Sequence, residues 1–172
     1  MIIIINGSLG VGKSNVAEHL HYKFDKSVCL DGDSIGDVHP FEIYDDARIE
    51  HVYRTLELLI GFHQKYDYHN FVINYVFESP ASLQQLITLL SPLDPIIHVY
   101  WLTCEAAEQA KRIRARGRDD LEWELKRFAE LQRIQAEAAQ QGFIGLELDT
   151  THLSVADVAD KIWKDIFKWQ IL

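Results

Sequence analysis

Strand-like and helix-like segments alternate along this chain, and the alternation predicts an α/β fold: one sheet of five parallel strands with helices on both faces, three layers in all. Two further observations support that class. The chain opens on Met-Ile-Ile-Ile-Ile, an apolar run suited to a parallel strand buried on both faces, and a glycine-rich turn and a helical pattern follow it directly. A length of 172 residues, 48% hydrophobic content and the lack of any internal repeat, low-complexity stretch or linker fit a single globular domain spanning 1–172.

The elements follow in order. Met1 to Ile5 is the first strand, and Ser14 to Phe24 is helical, with Val16, Leu20 and Phe24 on one side. Lys26 to Leu30 is a short second strand. Asp46 to Tyr66 carries Ile49, Val52, Tyr53, Leu56, Leu59, Ile60 and His63 at helical spacing, and Phe71 to Phe77 is the third strand. Ser79 and Pro80 make a helix start, the serine as cap and the proline in the first turn, where its missing N–H has no bond to lose. Leu83, Leu86, Ile87 and Leu90 share one face of that helix before Pro92 and Pro95 end it. Ile96 to Thr103 is the fourth strand, and Glu105 to Arg116 is a helix stopped by Gly117. Asp119 or Asp120 caps a long helix to about Gln141, with Gly142 at its end. Phe143 to Leu148 is the fifth strand, and Ser154 and Asp157 form a capping pair for a last helix bearing Val155, Val158, Ile162 and Ile166.

Residues 7 to 14 read Gly-Ser-Leu-Gly-Val-Gly-Lys-Ser, which fills the pattern Gly-x-x-x-x-Gly-Lys-Ser/Thr of a phosphate-binding loop in the strand–loop–helix setting the pattern requires. Gly7, Gly10 and Gly12 free the backbone so that successive N–H groups can turn toward phosphate oxygens, and the following helix adds its positive end. Lys13 is a point charge able to follow the β- and γ-phosphates, and the Ser14 hydroxyl can ligate Mg²⁺. The expected ligand is therefore a nucleoside triphosphate with Mg²⁺, held by Gly7, Gly10, Val11, Gly12, Lys13, Ser14 and Asn15. No Asn-Lys-x-Asp guanine motif occurs, which favours ATP and leaves the Asp-x-x-Gly spelled by Asp33 to Gly36 without the companion a switch GTPase needs.

A net charge of −9 argues against nucleic acid as a partner, because such binding rests on neutralising phosphates. No apolar run approaches the ~20 residues that span a bilayer, and the opening run lacks the basic leader of a signal peptide. The expectation is a cytoplasmic monomer or homodimer without membrane partners. Cys29 and Cys104 lie far apart at strand positions, as buried thiols rather than a disulfide or metal pair, and His51, His63, His69, His98 and His152 show no metal spacing.

Two constellations could carry chemistry. The second strand ends in Leu30-Asp31-Gly32-Asp33-Ser34, and two carboxylates separated by one residue point the same way if the chain stays extended. Asp31 then reaches the Mg²⁺ shell and Asp33 orients or deprotonates an acceptor hydroxyl; an Asp-Gly turn is the simpler alternative. Lys111 to Arg118 holds five of the seventeen lysines and arginines, with Arg112 and Arg116 on one helix face and Arg118 just past Gly117. Guanidinium groups there can spread charge on a transferring phosphoryl group, or else simply favour the helix dipole. The third strand carries Asn74 where a Walker B strand ends in aspartate, with Glu78 beyond, which moves metal and base duties toward Asp31 and Asp33 and disfavours a mechanical ATPase. Arg48 and Arg54 follow an irregular stretch around His39 and Pro40 that could cover an acceptor, and Trp163, Phe167 and Trp169 read as core or interface.

With these residues the chain resembles the P-loop small-molecule and nucleotide kinases, the group of adenylate, shikimate and gluconate kinases, over nearly its whole length. The resemblance rests on Gly7 to Ser14, on Asp31 and Asp33, and on Arg112, Arg116 and Arg118. It implies a P-loop NTPase fold, a substrate-covering helical region at 34–66 and an arginine lid at 116–121. Asp33-Ser34 is also similar to the aspartate-serine pair of chloramphenicol phosphotransferases, and the stretch from Asp149 to Ala159 resembles tunicamycin-resistance-type ATP-binding proteins, which implies that the backbone around Thr151 borders the adenine. The glycine-rich turn of shikimate kinases after the third strand, the Asp-Gly-Phe-Pro-Arg of adenylate kinases and the Asp-Arg-Tyr of thymidylate kinases are all absent. The resulting expectation is an ATP- and Mg²⁺-dependent kinase acting on a small-molecule hydroxyl. Lys13, Asp33, Arg112, Arg116 and Arg118 form its catalytic set, and Ser14 and Asp31 its metal site. A non-catalytic ATP-binding protein of the resistance type and a nucleoside monophosphate kinase are the alternatives.

Overall fold

The computed structural model describes residues 1–117, 120–142 and 145–168. Strands β1 (Ile2–Gly7), β2 (Ser27–Asp31), β3 (Asn70–Asn74), β4 (Ile97–Thr103) and β5 (Leu146–Asp149) form one all-parallel sheet in the order β2-β3-β1-β4-β5. The helices are α1 (Lys13–His21), α2 (Gly32–Ile35), α3 (Asp46–Gln64), α4 (Pro80–Leu90), α5 (Ala106–Ala115), α6 (Leu121–Gln141) and α7 (Val155–Phe167). The chain leaves β1 toward the β2 edge and leaves β4 toward β5. A crevice therefore opens at the carboxyl ends of these two neighbouring strands, and the glycine loop sits in it.

The isoleucine run explains the layering. Successive side chains of a strand point to opposite faces. Ile2 and Ile4 enter a core with Phe71 and Ile73 of β3, Val52, Leu56 and Ile60 of α3, and Leu83, Leu86 and Leu90 of α4. Ile3 and Ile5 enter a second core with Val72, Tyr100 and Leu102, and with Val16, Leu20, Val158 and Ile162 of α1 and α7. All four isoleucines are fully buried, as a central strand covered on both faces requires.

The differences from the sequence reading lie at element ends. β1 continues through Asn6 and Gly7, and α1 stops at His21. β3 ends at Asn74, not Phe77: the Tyr75 amide still bonds the Ile5 carbonyl, but the Phe77 amide turns to the Asn6 side chain, and the chain leaves the sheet. α2 was not foreseen. Asp120 is the cap of α6, its carboxylate accepting the Trp123 amide. β5 spans Leu146–Asp149, and residues 143 and 144 of the expected strand lie outside the described residues. Cys29 and Cys104 are free thiols, partly rather than fully buried. Burial, reinforced by the charges of Asp31 and Glu18, pushes the Cys29 thiol up to about 11. Trp163 and Phe167 pack on Phe24 at ring distances of 4.8 and 6.1 Å, while Trp169 lies outside the described residues. Among the described residues no helix is long and apolar enough to cross a membrane.

α7 starts with the expected capping box. The Ser154 hydroxyl accepts the Asp157 amide, and the Asp157 carboxylate takes the Ser154 amide and hydroxyl. Those Ser154 bonds hold the Asp157 carboxyl below its ordinary range, as a hydrogen bond from Lys23 does for Asp160 and one from Lys168 does for Asp165. A carboxyl depressed in the folded state contributes stability in full above the unfolded value of about 3.9 and loses it as pH falls through the folded value. Urea unfolding midpoints should therefore hold steady from pH 7 to pH 5 and drop below pH 4. Asp157→Asn should lower the midpoint at pH 7 and leave it nearly unchanged at pH 3; an equal loss at both pH values would show that the charge of Asp157 contributes nothing.

Candidate active site

The glycine loop leaves β1 and enters α1 with Gly12 as the helix cap. Gly10 and Gly12 have φ values of 83° and 102°, a region that strains any side chain. A Cβ at position 10 would also stand 2.8 Å from the Ile113 side chain, whereas one at position 12 would meet nothing within 4 Å. Position 12 thus needs glycine for its backbone alone, and its surroundings are open to a ligand. Asn6, fully buried, starts the loop: its Oδ1 accepts the amides of Gly7 at 2.7 Å and Phe77 at 2.9 Å. Gln109 of α5, 2% exposed, braces the loop's middle, its amide group donating to the Ser8 hydroxyl and the Leu9 carbonyl. The Lys13 ammonium lies back along the loop at 3.2 Å from the Ser8 carbonyl.

At the loop's end the Ser14 hydroxyl lies 3.3 Å from Asp31 Oδ2 and 3.1 Å from Asn74 Oδ1. Three oxygen donors from α1, β2 and β3 so converge, the kind of set that suits Mg²⁺. No group of three or more His, Cys, Asp or Glu side chains among the described residues could hold a metal. Asn74 thus brings a neutral oxygen beside Ser14. Its amide group lies 3.5 Å from the Leu30 carbonyl, which points Oδ1 toward Ser14.

Asp31 and Asp33 are not side by side on an extended strand. Asp31 Oδ1 accepts the amides of Asp33 and Ser34 at 2.9 and 3.1 Å, so it caps α2 and the chain turns at once into helix. The turn separates the duties. Asp31 keeps Oδ2 toward Ser14, and Asp33 is carried onto the wall of a cleft of about 610 Å³ that begins at Ser14. The cleft is bounded by α2, the stretch to Tyr44, α3, the end of β3 and α6. The tight turn at Gly32 is permitted by the lack of a side chain, since a Cβ would stand 2.5 Å from the Tyr75 ring.

Arg48 and Arg127 also line this cleft, and both are 8% exposed. Arg48 Nε donates to the Gly36 carbonyl at 2.8 Å, and its guanidinium lies 4.4 Å from the centre of the Phe41 ring. Arg127 pairs with Glu78, with Glu130 at 2.7 Å and with the Tyr44 hydroxyl at 2.8 Å. Burial alone would lower the Arg127 pKa, but its bonds to Glu130 and Tyr44 and the charge of Glu78 raise it. The same Tyr44 hydroxyl donates to Glu130, which raises the phenol's own pKa and lowers that of Glu130.

On the other side of the loop a second cleft, of about 420 Å³, is lined by Gly10, Gly12, Asn15, Arg112, Arg116, Thr150 and Leu153, among others. Arg112 is fastened there: it donates to the Thr150 hydroxyl and to the carbonyls of Thr150 and Thr151 at 3.2, 2.9 and 3.1 Å, with Glu108 on its Nε at 3.2 Å. Arg112 thus faces the cleft beside Thr150, away from Asp33. The Thr151 side chain is turned to Asp149 and the Glu105 amide. Arg116 joins the two clefts, lining this one while lying 4.0 Å from Glu124 of the other. Arg118, and with it the centre of the lid-like turn at 116–121, lies outside the described residues. The structure therefore brings the loop, Ser14, Asp31 and Asp33 around one corner, with Arg112 in the second cleft and Arg116 between the two.

Sequence reading passed over Gln109, Tyr44, Trp123, Glu124 and Arg127. One signal was there to find. Glu124 and Arg127 sit on the same helical stripe as Phe128, Leu131 and Ala138, and a charged residue on a buried stripe needs a partner or a task. Arg48, in register with Val52, Leu56 and Ile60, is the same case.

The sheet order and this loop define a P-loop α/β protein with a kinase-type fold. The family model described as an AAA domain matches residues 3–138, and the chain belongs to that family. No curated protein matches it in sequence. Among solved structures it is similar to the tunicamycin resistance protein of Deinococcus radiodurans, at 20% identity over 96% of this chain and 94% of that one, with a TM-score of 0.65. It is similar to the shikimate kinase of Acinetobacter baumannii in complex with shikimate, at 16% identity over 99% and 95% of the chains, with a TM-score of 0.63. A third is the thymidylate kinase of Candida albicans, at 18% identity over 99% and 92%, with a TM-score of 0.64. At these identities the likeness is one of fold.

The bracing of the loop can be tested directly. Gln109→Ala removes both bonds to the loop from a site 2% exposed, so ATP should bind about 3- to 10-fold more weakly, the equivalent of one hydrogen bond or so of preorganisation. Titration calorimetry would measure it, and an unchanged Kd would mean the loop holds its shape without Gln109.

Proposed function

We propose that the chain is an ATP- and Mg²⁺-dependent phosphotransferase that acts on a hydroxyl group of a small molecule. The observation that carries this reading is the shared corner: Ser14 and Asp31, at the end of the phosphate loop, stand on the wall of the same cleft as Asp33. A γ-phosphate delivered by the loop would meet an acceptor in that cleft. The kinase-type fold supports the same class of reaction.

Each residue then has a task. The loop amides and Lys13 hold the β- and γ-phosphates. Ser14, Asp31 and Asn74 would hold Mg²⁺, which would offset the charge of the phosphates. Asp33 orients the acceptor hydroxyl and takes its proton. Arg116, placed between the two clefts, spreads charge on the transferring group, while Arg112 shapes the nucleotide side through the Thr150 and Thr151 carbonyls.

Asp33→Asn keeps the side chain's size and removes its capacity as a base. Turnover should fall by about 10²- to 10⁴-fold while ATP affinity stays within a factor of about two of the original, because Asp33 lines the acceptor cleft and not the nucleotide side. Steady-state ADP release and nucleotide titration make the comparison, and full activity in the variant would remove Asp33 from the reaction. Stoichiometric nucleotide binding with no ADP formed across a panel of alcohols would instead favour a binding protein without turnover.

A further inference from the structure

The chemistry of the cleft beyond Asp33 narrows the acceptor, and the narrowing rests on the phosphotransfer reading above. Both guanidinium groups that line the cleft are already engaged. Arg127 is taken by Glu78, Glu130 and the Tyr44 hydroxyl, and Arg48 by the Gly36 carbonyl and the Phe41 ring. A phosphate or carboxylate on the acceptor would have to displace these partners from the buried guanidiniums, and it would face the half-buried Glu78 and Glu130 carboxylates at close range. The lining carboxylates outnumber the lining guanidiniums five to two among the described residues. Asp37, exposed on the cleft wall just past the end of α2, has a carboxylate with no hydrogen bond or ion pair to any described residue. The mouth is aromatic as well: Trp123, Tyr44 and Phe41 are 44%, 61% and 48% exposed there. Large rings left open to water around one cavity mark a surface meant to be covered. Arg48 already lies over the Phe41 ring and Arg127 over the Tyr44 ring, whereas no cation lies over the Trp123 ring among the described residues, and that ring's face can attract one.

We propose that the acceptor is an amino alcohol with an apolar or aromatic body, carrying no phosphate or carboxylate. Its ammonium lies at the Trp123 ring and Asp37, its apolar body lies among the other lining rings, and its hydroxyl lies at Asp33. In the transfer, the hydroxyl oxygen forms a bond to the γ-phosphorus, and the bond from that phosphorus to the β–γ bridging oxygen breaks. ADP leaves with the electron pair, and the hydroxyl proton passes to the Asp33 carboxylate.

A matched set of probes tests the charge rule. Phenylalaninol, N-acetylphenylalaninol and 3-phenyllactate share a phenyl body and a hydroxyl but are cationic, neutral and anionic, and thymidine monophosphate represents the phosphate-bearing alternative. ADP release by the full chain with Mg-ATP should show kcat/KM about tenfold higher for phenylalaninol than for its N-acetyl form, the sum of one cation–π contact and one exposed ion pair. The two anionic probes should fall below both. Asp37→Asn should narrow the gap by raising KM for phenylalaninol several-fold with kcat held, and should leave the N-acetyl form unaffected. A merely structural Asp37 would move both probes alike, and that outcome overturns its role. Equal rates for cationic and neutral probes, or a preference for either anion, overturn the proposal. Binding to the complex with a non-hydrolysable ATP analogue, read by calorimetry, separates the two readings. The same charge order in binding without any ADP formed supports the cationic ligand and sinks phosphotransfer, whereas ADP formed from the anionic probes alone sinks the amino alcohol and leaves phosphotransfer standing. No binding of phenylalaninol at 10 mM, above the ~1 mM range of weak ligands, overturns the proposal outright.

Discussion

Asn6 holds the two halves of this site in one place. It lies at the carboxyl end of the central strand, fully buried, and one side-chain oxygen accepts the first amide of the phosphate loop and the Phe77 amide where the chain leaves β3. Both amides would otherwise be buried without a partner, which costs about 1–3 kcal/mol each. The same clamp fixes the distance between the phosphate loop and the stretch from Tyr75 to Ser82, which lines the cleft that holds Asp33. Around it Gln109 braces the loop from α5, and Thr150 ties it to β4 and β5 through the carbonyls of Val11 and Thr103. The loop owes its shape to several elements, of which only β1 and α1 are its sequence neighbours.

Electrostatics is divided between the two sides of that clamp. Asp31 shows the economy of it: one carboxylate oxygen caps α2 and the other stays near Ser14. The carboxylate that caps α2 is thus the same one that faces Ser14, and Asn74 adds an oxygen there without adding charge. In the cleft beyond, arginines are present but neutralised. Arg127 holds α6, Tyr44 and Glu78 together across the cleft, so its positive charge serves the architecture of the wall more than the recognition of an anion.

The legible parts of this protein were those in which neighbours in sequence are neighbours in the structure. The phosphate loop is a local motif, and β1 reads directly as a central strand because six consecutive buried positions admit few alternatives. Ser79 with Pro80, and Ser154 with Asp157, marked their helices because a cap is a contact over three residues. Asp31 and Asp33 are legible as a pair, but whether the chain stays extended between them or turns is not; the Asp31 side chain itself starts a helix. Arg112 was grouped with Arg116 by helix face, and that grouping could not reveal that the nearest acceptors for its guanidinium were carbonyls thirty-eight and thirty-nine residues away.

What the sequence determined by itself was the fold class, the phosphate loop and the residue types that gather at its end, because each follows from periodicity or from contacts within a few residues. The tertiary structure decided which charges meet. Strand order brings Asn74 and Asp31 to Ser14, and the packing of α6 across the cleft brings Arg127 to Glu78 and Tyr44. Those pairings span 17 to 83 residues. No local pattern encodes them, because the energy of a buried ion pair depends on where the fold places its partner and how much water is left between them.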